Sequence, residues 1–306
     1  MTAVITPQDG AAGAADVAAE PVPPLPPRLQ LIRAVLVLVV VLTISLLLQL
    51  MFVSRLQHST SQQRAFDAFR SKLAGGTAPV GPTDELGVAL PLGSGVAYIE
   101  IRTLDLTQVV LEGTTSAVLM DGPGHRRDTP LPGQVGTSVL MGRRAAYGGP
   151  FGDLGSLRKG DEITATTGQG VFTYRVIGTR RDGDPVPPPL ARNSSRLTLV
   201  TADGTPFIPS GAFYVDADLE GQATGGAPRN FTAATLPLEE RAMAGDSSTL
   251  WALALWLQAL MILAVGAVWS WNRWSRQATW IVFLPPLTLV GLAVAGEIAR
   301  LLPNLL

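Results

Sequence analysis

Few side chains in this sequence could do chemistry. The chain has no cysteine, which removes disulfides, thiolate metal sites and any sulfur nucleophile. Its only histidines are His58 and His125, too few for a zinc site of the usual nitrogen- or sulfur-rich kind. No other composition points to a metal or a cofactor, so none is expected. Gly148–Gly149 and Gly160–Asp161 read as turns. They do not make a phosphate loop, because no lysine and helix start follow in the required frame. Glu297 and Arg300 are three residues apart in an apolar segment, where they can pair on one helix face. The plain reading is a pair snorkelling at a membrane interface, and the sharper one is a contact to another membrane helix.

The elements that must position these groups separate by composition. Charged residues are 15% of the chain and hydrophobic ones 47%, with a mean hydropathy of +0.29. Soluble domains carry about 25% charged residues, so membrane segments are expected. The net charge of −1 gives no field to draw nucleic acid. Of 23 basic residues only Lys72 and Lys159 are lysine, a bias that suggests a GC-rich genome of the actinobacterial kind.

Residues 1–30, rich in Ala, Gly and Pro, read as a disordered cytoplasmic tail. Residues 31–53 hold the uncharged run AVLVLVVVLTISLLLQLMFV, about as long as a bilayer-spanning helix needs. A cleaved signal peptide would have a shorter apolar core and a small-residue cleavage site, so a signal anchor is favoured. Residues 54–95 read as a helical stalk, carrying a solvated His58, and then a Gly- and Pro-rich linker. From 96 to 220 the texture is short strands between turns: VAYIEIRTLDL, TQVVLEG, TSVLMGR, DEITATT, VFTYRVIGT, RLTLVTA and AFYVDADL. Thr167–Gly168–Gln169–Gly170 reads as a hairpin turn. So many short strands imply a mainly β domain, a closed barrel or a sandwich. Residues 221–248 return to small polar residues and read as a second linker. Segments 249–271 and 278–301 read as two further membrane helices, the second containing Pro285–Pro286, which should kink it. Tryptophans gather at their ends, as at membrane interfaces. Arg28 and Arg33 before the first span, and Arg273 and Arg276 between the last two, place both short segments in the cytoplasm. The β domain then lies outside.

Residues 118–202 resemble the sortase family, in particular its actinobacterial class E type. GPGHRRDTPLPGQVG at 122–136 resembles the family's Gly-Pro-Gly-His segment. SVLMGRRAAYGGPFGDLGSLRKGDEI at 138–163 resembles the block that leads from an apolar strand to Gly-His-Arg and then Tyr-Gly-x-Pro-Phe. VFTYRV at 171–176 matches the following strand, and RLTLVTADG at 196–204 resembles the strand ending in Thr-Cys. The resemblance implies a sortase-like β-barrel and a membrane-anchored transpeptidase. In such an enzyme a cysteine attacks a sorting-signal peptide between Thr and Gly, a histidine serves as acid and base, and an arginine stabilises the oxyanion.

The sequence departs from that pattern at each catalytic position. Arg143 stands where the histidine belongs, and a guanidinium with a pKa above about 12 cannot shuttle protons at neutral pH. Ala202 stands for the cysteine, and Ala212 aligns with the arginine. Arg229 is the nearest later arginine. The expected catalytic set is therefore empty. The candidates for lining a cleft are His125, Arg143, Thr201 and Asp203. Thr201 would need a neighbouring base, and Asp203 has no second carboxylate to work with.

Three functions fit. The leading one is a catalytically inactive sortase-like protein binding a secreted or surface protein through a sorting-signal-like peptide. The second is a divergent transpeptidase or hydrolase acting through Thr201 or Asp203. The third is a structural subunit that meets other membrane proteins through its helices. The lipid bilayer is a partner in all three.

Overall fold

The structure is a computed structural model and describes residues 26–84, 87–227, 231–274 and 276–306. The expected disordered tail lies outside the described residues as far as residue 25, and so does Arg229. The chain divides into two compact units, residues 1–40 and 41–306. The described part of the first is the beginning of helix α1 (Pro27–Leu48).

In the second unit α1 passes through a π-helical turn, Gln49–Val53, into α2 (Ser54–Ala74). Eight strands follow: β1 (Gly95–Ile101), β2 (Leu106–Glu112), β3 (Gly124–His125), β4 (Gly136–Met141), β5 (Glu162–Thr167), β6 (Gly170–Arg181), β7 (Ser195–Thr205) and β8 (Ile208–Leu219). A short helix, α3 (Ser116–Asp121), lies between β2 and β3, and Thr115 caps it by accepting from the Val118 amide. The strands close into a barrel in the order β1-β2-β3-β4-β7-β8-β6-β5. Closure removes the free edges that an open sheet would expose. Helices α4 (Leu250–Arg273) and α5 (Arg276–Leu301) end the chain, with Pro285 and Pro286 inside α5.

Period-two alternation fills the barrel. Along β7, Leu197 and Leu199 point inward with Val215 and Ala217 of β8, beside Ile99, Phe151, Ile163 and Tyr174. Val200 and Ala202 point to the outer face and pack with Val139, Met141 and Ala212. Gly124 lets β3 approach the chain after β2, since a Cβ there would stand 2.1 Å from the Gly113 carbonyl oxygen.

Two segments read from sequence as connectors are anchored. Helix α2 is no free stalk: Phe69, Ala65 and Leu73 pack on Val109, Leu111 and Val118. Gln62 donates to the carbonyls of Val109 (3.1 Å) and Asp121 (2.9 Å) and accepts from the Val109 amide (2.8 Å). His58 is buried rather than solvated, with its ring close to Gly148. Among the described residues of 221–248 the helical elements are short 3-10 turns, yet Leu236 and Glu240 are buried. Glu240 receives both arms of the Arg127 guanidinium.

Among the described residues three helices are long and apolar enough to cross a membrane. They leave Val40, Ile44, Trp251, Ile262, Ile281 and Leu289 exposed. Ser45 of α1 meets Gly291 of α5 so closely that a Cβ on the glycine would stand 2.9 Å from its hydroxyl. Glu297 and Arg300 pair on α5 at 3.5 Å.

Candidate functional site

Three of the positions named from the sequence, Arg143, Ala202 and Ala212, gather on the outer face of β4, β7 and β8. Parallel pairing puts Met141 beside Val200, and antiparallel pairing puts Ala202 directly opposite Ala212. Arg143 follows β4 and continues the alternation of Val139 and Met141, so it reaches the same face. Gly142 between them permits this, because a Cβ there would fall 2.5 Å from the Phe151 ring. Arg143, Ala202 and Ala212 are all buried.

Arg143 is a buried cation with no carboxylate beside it. Its Nη2 donates to the Ser116 hydroxyl (2.7 Å) and carbonyl (3.2 Å), its guanidinium lies 5.1 Å from the Tyr147 ring centroid, and its Nε has no hydrogen-bond partner. Burial pushes the guanidinium down to about 10, against the opposing pull of Tyr147. It therefore stays charged at neutral pH and cannot act as a base. Arg144, which the sequence reading passed over, donates from Nη1 to the Ala202 carbonyl at 2.7 Å. The Arg143–Arg144 doublet is plain in the sequence, but the contact of its second member with β7 is set by the tertiary fold.

Beside the two alanines the face opens into a recess of about 150 Å3 walled by Val139, Met141, Val200 and Tyr214, with Arg126 and Arg180 at its rim. Both cations are already matched. Arg126 makes a two-pronged contact with Asp128 (2.6 and 2.9 Å), and Arg180 meets Asp216 at 2.8 Å while lying 4.0 Å from the Tyr214 ring centroid. What remains for a ligand is mainly apolar wall.

The other candidates do not join this face. Thr201 pairs with Phe213, whose side chain fills the barrel interior, so its hydroxyl points away from Ala202 and has no partner there. A hydroxyl without a base is not activated. Asp203 is engaged by Arg181 at 3.0 Å. His125 is fully buried on β3 and lines a separate small recess with Glu112, Arg127 and Gln134. Its Nδ1 lies 2.9 Å from the Glu112 carboxylate and its Nε2 lies 3.0 Å from the Pro130 carbonyl. Two acceptors call for two N–H donors, which is the imidazolium form. Burial opposes that charge, but Glu112 outweighs it and holds the pKa above its ordinary value. In that form His125 offers no lone pair for base catalysis. Among the described residues no group of His, Asp and Glu is arranged to hold a metal.

Comparison with known proteins gives this arrangement a family. Residues 99–212 match the Sortase domain family model. Sortase D of Bacillus subtilis is 32% identical over 88 residues, which are 29% of this chain and 43% of that protein. The match therefore spans less than half the length of that relative. Sortase E from Streptomyces avermitilis is 33% identical, with 43% of this chain and 91% of that chain covered, at a TM-score of 0.37. A Clostridium perfringens sortase D5 transpeptidase is 22% identical over 53% of this chain and 99% of that one, at a TM-score of 0.44.

Proposed function

This chain belongs to the sortase family, and from that premise we propose that it is a membrane-anchored, extracytoplasmic pseudo-sortase that binds a peptide of a secreted or surface protein without cleaving it. One observation carries the reading. The three positions that align with the family's histidine, cysteine and arginine converge on one face, and they hold Arg143, Ala202 and Ala212. A methyl group cannot attack a carbonyl, and a guanidinium charged up to about pH 10 cannot take up a proton at pH 7. The neighbouring hydroxyl of Thr201 and carboxylate of Asp203 do not replace them, one facing the barrel core and the other tied to Arg181. The walled recess beside the alanines supports a binding role.

The membrane placement rests on three helices whose exposed apolar surface needs lipid, and on arginines flanking them on what would be the cytoplasmic side. Three crossings put the barrel and the end of α5 on the same, outer side. The contact of residues after α5 with the barrel supports that count.

The test replaces Tyr214 in the recess by a photoreactive residue in the full chain and crosslinks in the producing cells. Capture of surface proteins that carry sorting signals supports the reading. Capture of integral membrane proteins alone overturns peptide binding in favour of a role carried by the helices. Cleavage of a sorting-signal peptide by the purified full chain overturns the loss of catalysis.

A further inference from the structure

The apolar face around Ala202 and Ala212 has an occupant. Leu305, four residues beyond the end of α5, packs into the cluster of Leu119, Val139, Met141, Val200, Ala202 and Ala212 and is wholly buried. The residues around it are fastened by their backbone and side chains. The Leu305 carbonyl accepts from the Arg144 amide at 2.9 Å, and the Asn304 amide donates to the Ala244 carbonyl at 2.8 Å. Asn304 Nδ2 donates to the carbonyls of Thr114 and Arg241, both at 2.9 Å. The end of α5 is held as well, since the Asp246 amide donates to the Arg300 carbonyl at 3.1 Å. So Arg144 grips two things at once: the strand that carries Ala202, through its guanidinium, and the inserted segment, through its amide.

We propose that Asn304–Leu306 is an intramolecular plug that closes the degenerate site, so that its opening is tied to the position of membrane helix α5. This inference rests on the reading of the face as a vestigial peptide cleft and adds how that cleft is regulated. The two alanines are what make room for the plug. An arginine at 212 would extend into the cluster that Leu305 completes, so the lost side chain and the gained plug are two sides of one replacement. The open recess walled by Val139, Met141 and Tyr214 adjoins the plug. A ligand lying along the face therefore either ends at Leu305 or displaces it. Displacement frees the anchor at the outer end of α5, which gives the cleft a mechanical link to the membrane.

The absence of cysteine makes the test clean. Ala202→Cys introduces the only thiol of the full chain, reconstituted in lipid nanodiscs and reacted with a small maleimide. The plug predicts slow labelling, and a rise of at least about tenfold when Leu305→Gly is added, as expected for opening a site held by roughly 1.4 kcal/mol or more per decade. An equal rate in both proteins overturns the proposal. A partly unfolded variant would also label fast, so the second measurement is rescue. A synthetic peptide of sequence Leu-Leu-Pro-Asn-Leu-Leu, added in trans, restores protection in the Leu305→Gly protein only if the emptied site is folded and accepts the segment. No restoration at any soluble peptide concentration overturns the plug. Failure here leaves the crosslinking test of the partner reading intact, and failure of that test leaves the labelling result standing.

Discussion

Replacing Arg143 by methionine should stabilise the protein. Burial lowers the guanidinium from its ordinary range to about 10. At 1.36 kcal/mol per unit the charged form is held at a cost of about 3 kcal/mol. Against this stand the contacts with Ser116 at 2.7 and 3.2 Å, whose loss leaves a buried hydroxyl and carbonyl short of a donor at about 1–2 kcal/mol. Methionine fills a similar volume with no charge, so the net gain for Arg143→Met is about 1–2 kcal/mol, in line with other replacements of buried ions by apolar groups. For a folded unit of this size each kcal/mol moves the melting midpoint by about 2–4 °C. The assay is thermal unfolding of the full chain in nanodiscs, followed by near-ultraviolet circular dichroism across pH. Because the folded pKa is lowered, the cost is present in full below about pH 10 and fades as pH rises above it. The wild-type chain should therefore close the gap to Arg143→Met over that window. A variant less stable than wild type by more than about 1 kcal/mol would refute the reasoning, since it would mean that the cation is compensated by something other than Ser116 and Tyr147.

The Glu112–His125 pair should give a second pH signature. The folded state raises the histidine pKa above 6.5, so protonated His125 stabilises in full below pH 6.5. That contribution is lost as pH climbs through the raised folded value, by at most about 1.4 kcal/mol per pH unit. In His125→Gln this decline should vanish, which denaturant titrations at pH 6 and pH 9 would read. Gln62→Ala leaves the Val109 amide and two carbonyls without their partner and should cost about 2 kcal/mol. Its sign would be faster proteolysis in the segment joining α2 to the barrel, at 75–94. Installing the family's residues together, Arg143→His, Ala202→Cys and Ala212→Arg, should give no transpeptidation of a sorting-signal peptide, because Leu305 occupies the space. Transfer product in mass spectra of that triple variant would show that the cleft has kept its working geometry.

The barrel was legible because its strands alternate or run apolar between turn residues, and because the four resembling blocks fall in order. The pairings that build the site were less so. Strand β3 is two residues long, below what any pattern can mark, yet it joins β2 to β4 and sets the place of His125. The parallel β4–β7 ladder brings Met141 to Val200 across 58 intervening positions, and no local signal fixes its register. His58 read as solvated because α2 shows only a weak apolar stripe. Its burial comes from Gly148, far along the chain, which leaves space for the ring. Leu305 was the most hidden. It follows a long apolar helix and has the look of a tail, and only the tertiary fold gives it the cluster on β4, β7 and β8.

Thr201 and Ala202 show why one residue of a strand cannot stand in for its neighbour. In a strand, adjacent side chains point to opposite faces, and the register fixes which is which: Ala202 faces Ala212 on the cleft side, Thr201 faces Phe213 in the core. Moving the hydroxyl to the cleft would require a one-residue slip of β7. That slip would turn Leu197 and Leu199 out of the core at the same time, at about 1.5–3 kcal/mol for each leucine brought to water. A nucleophile on this scaffold therefore has to stand at 202 itself. With alanine there, Leu305 packs in the same cluster and the face holds a segment of this chain against apolar neighbours.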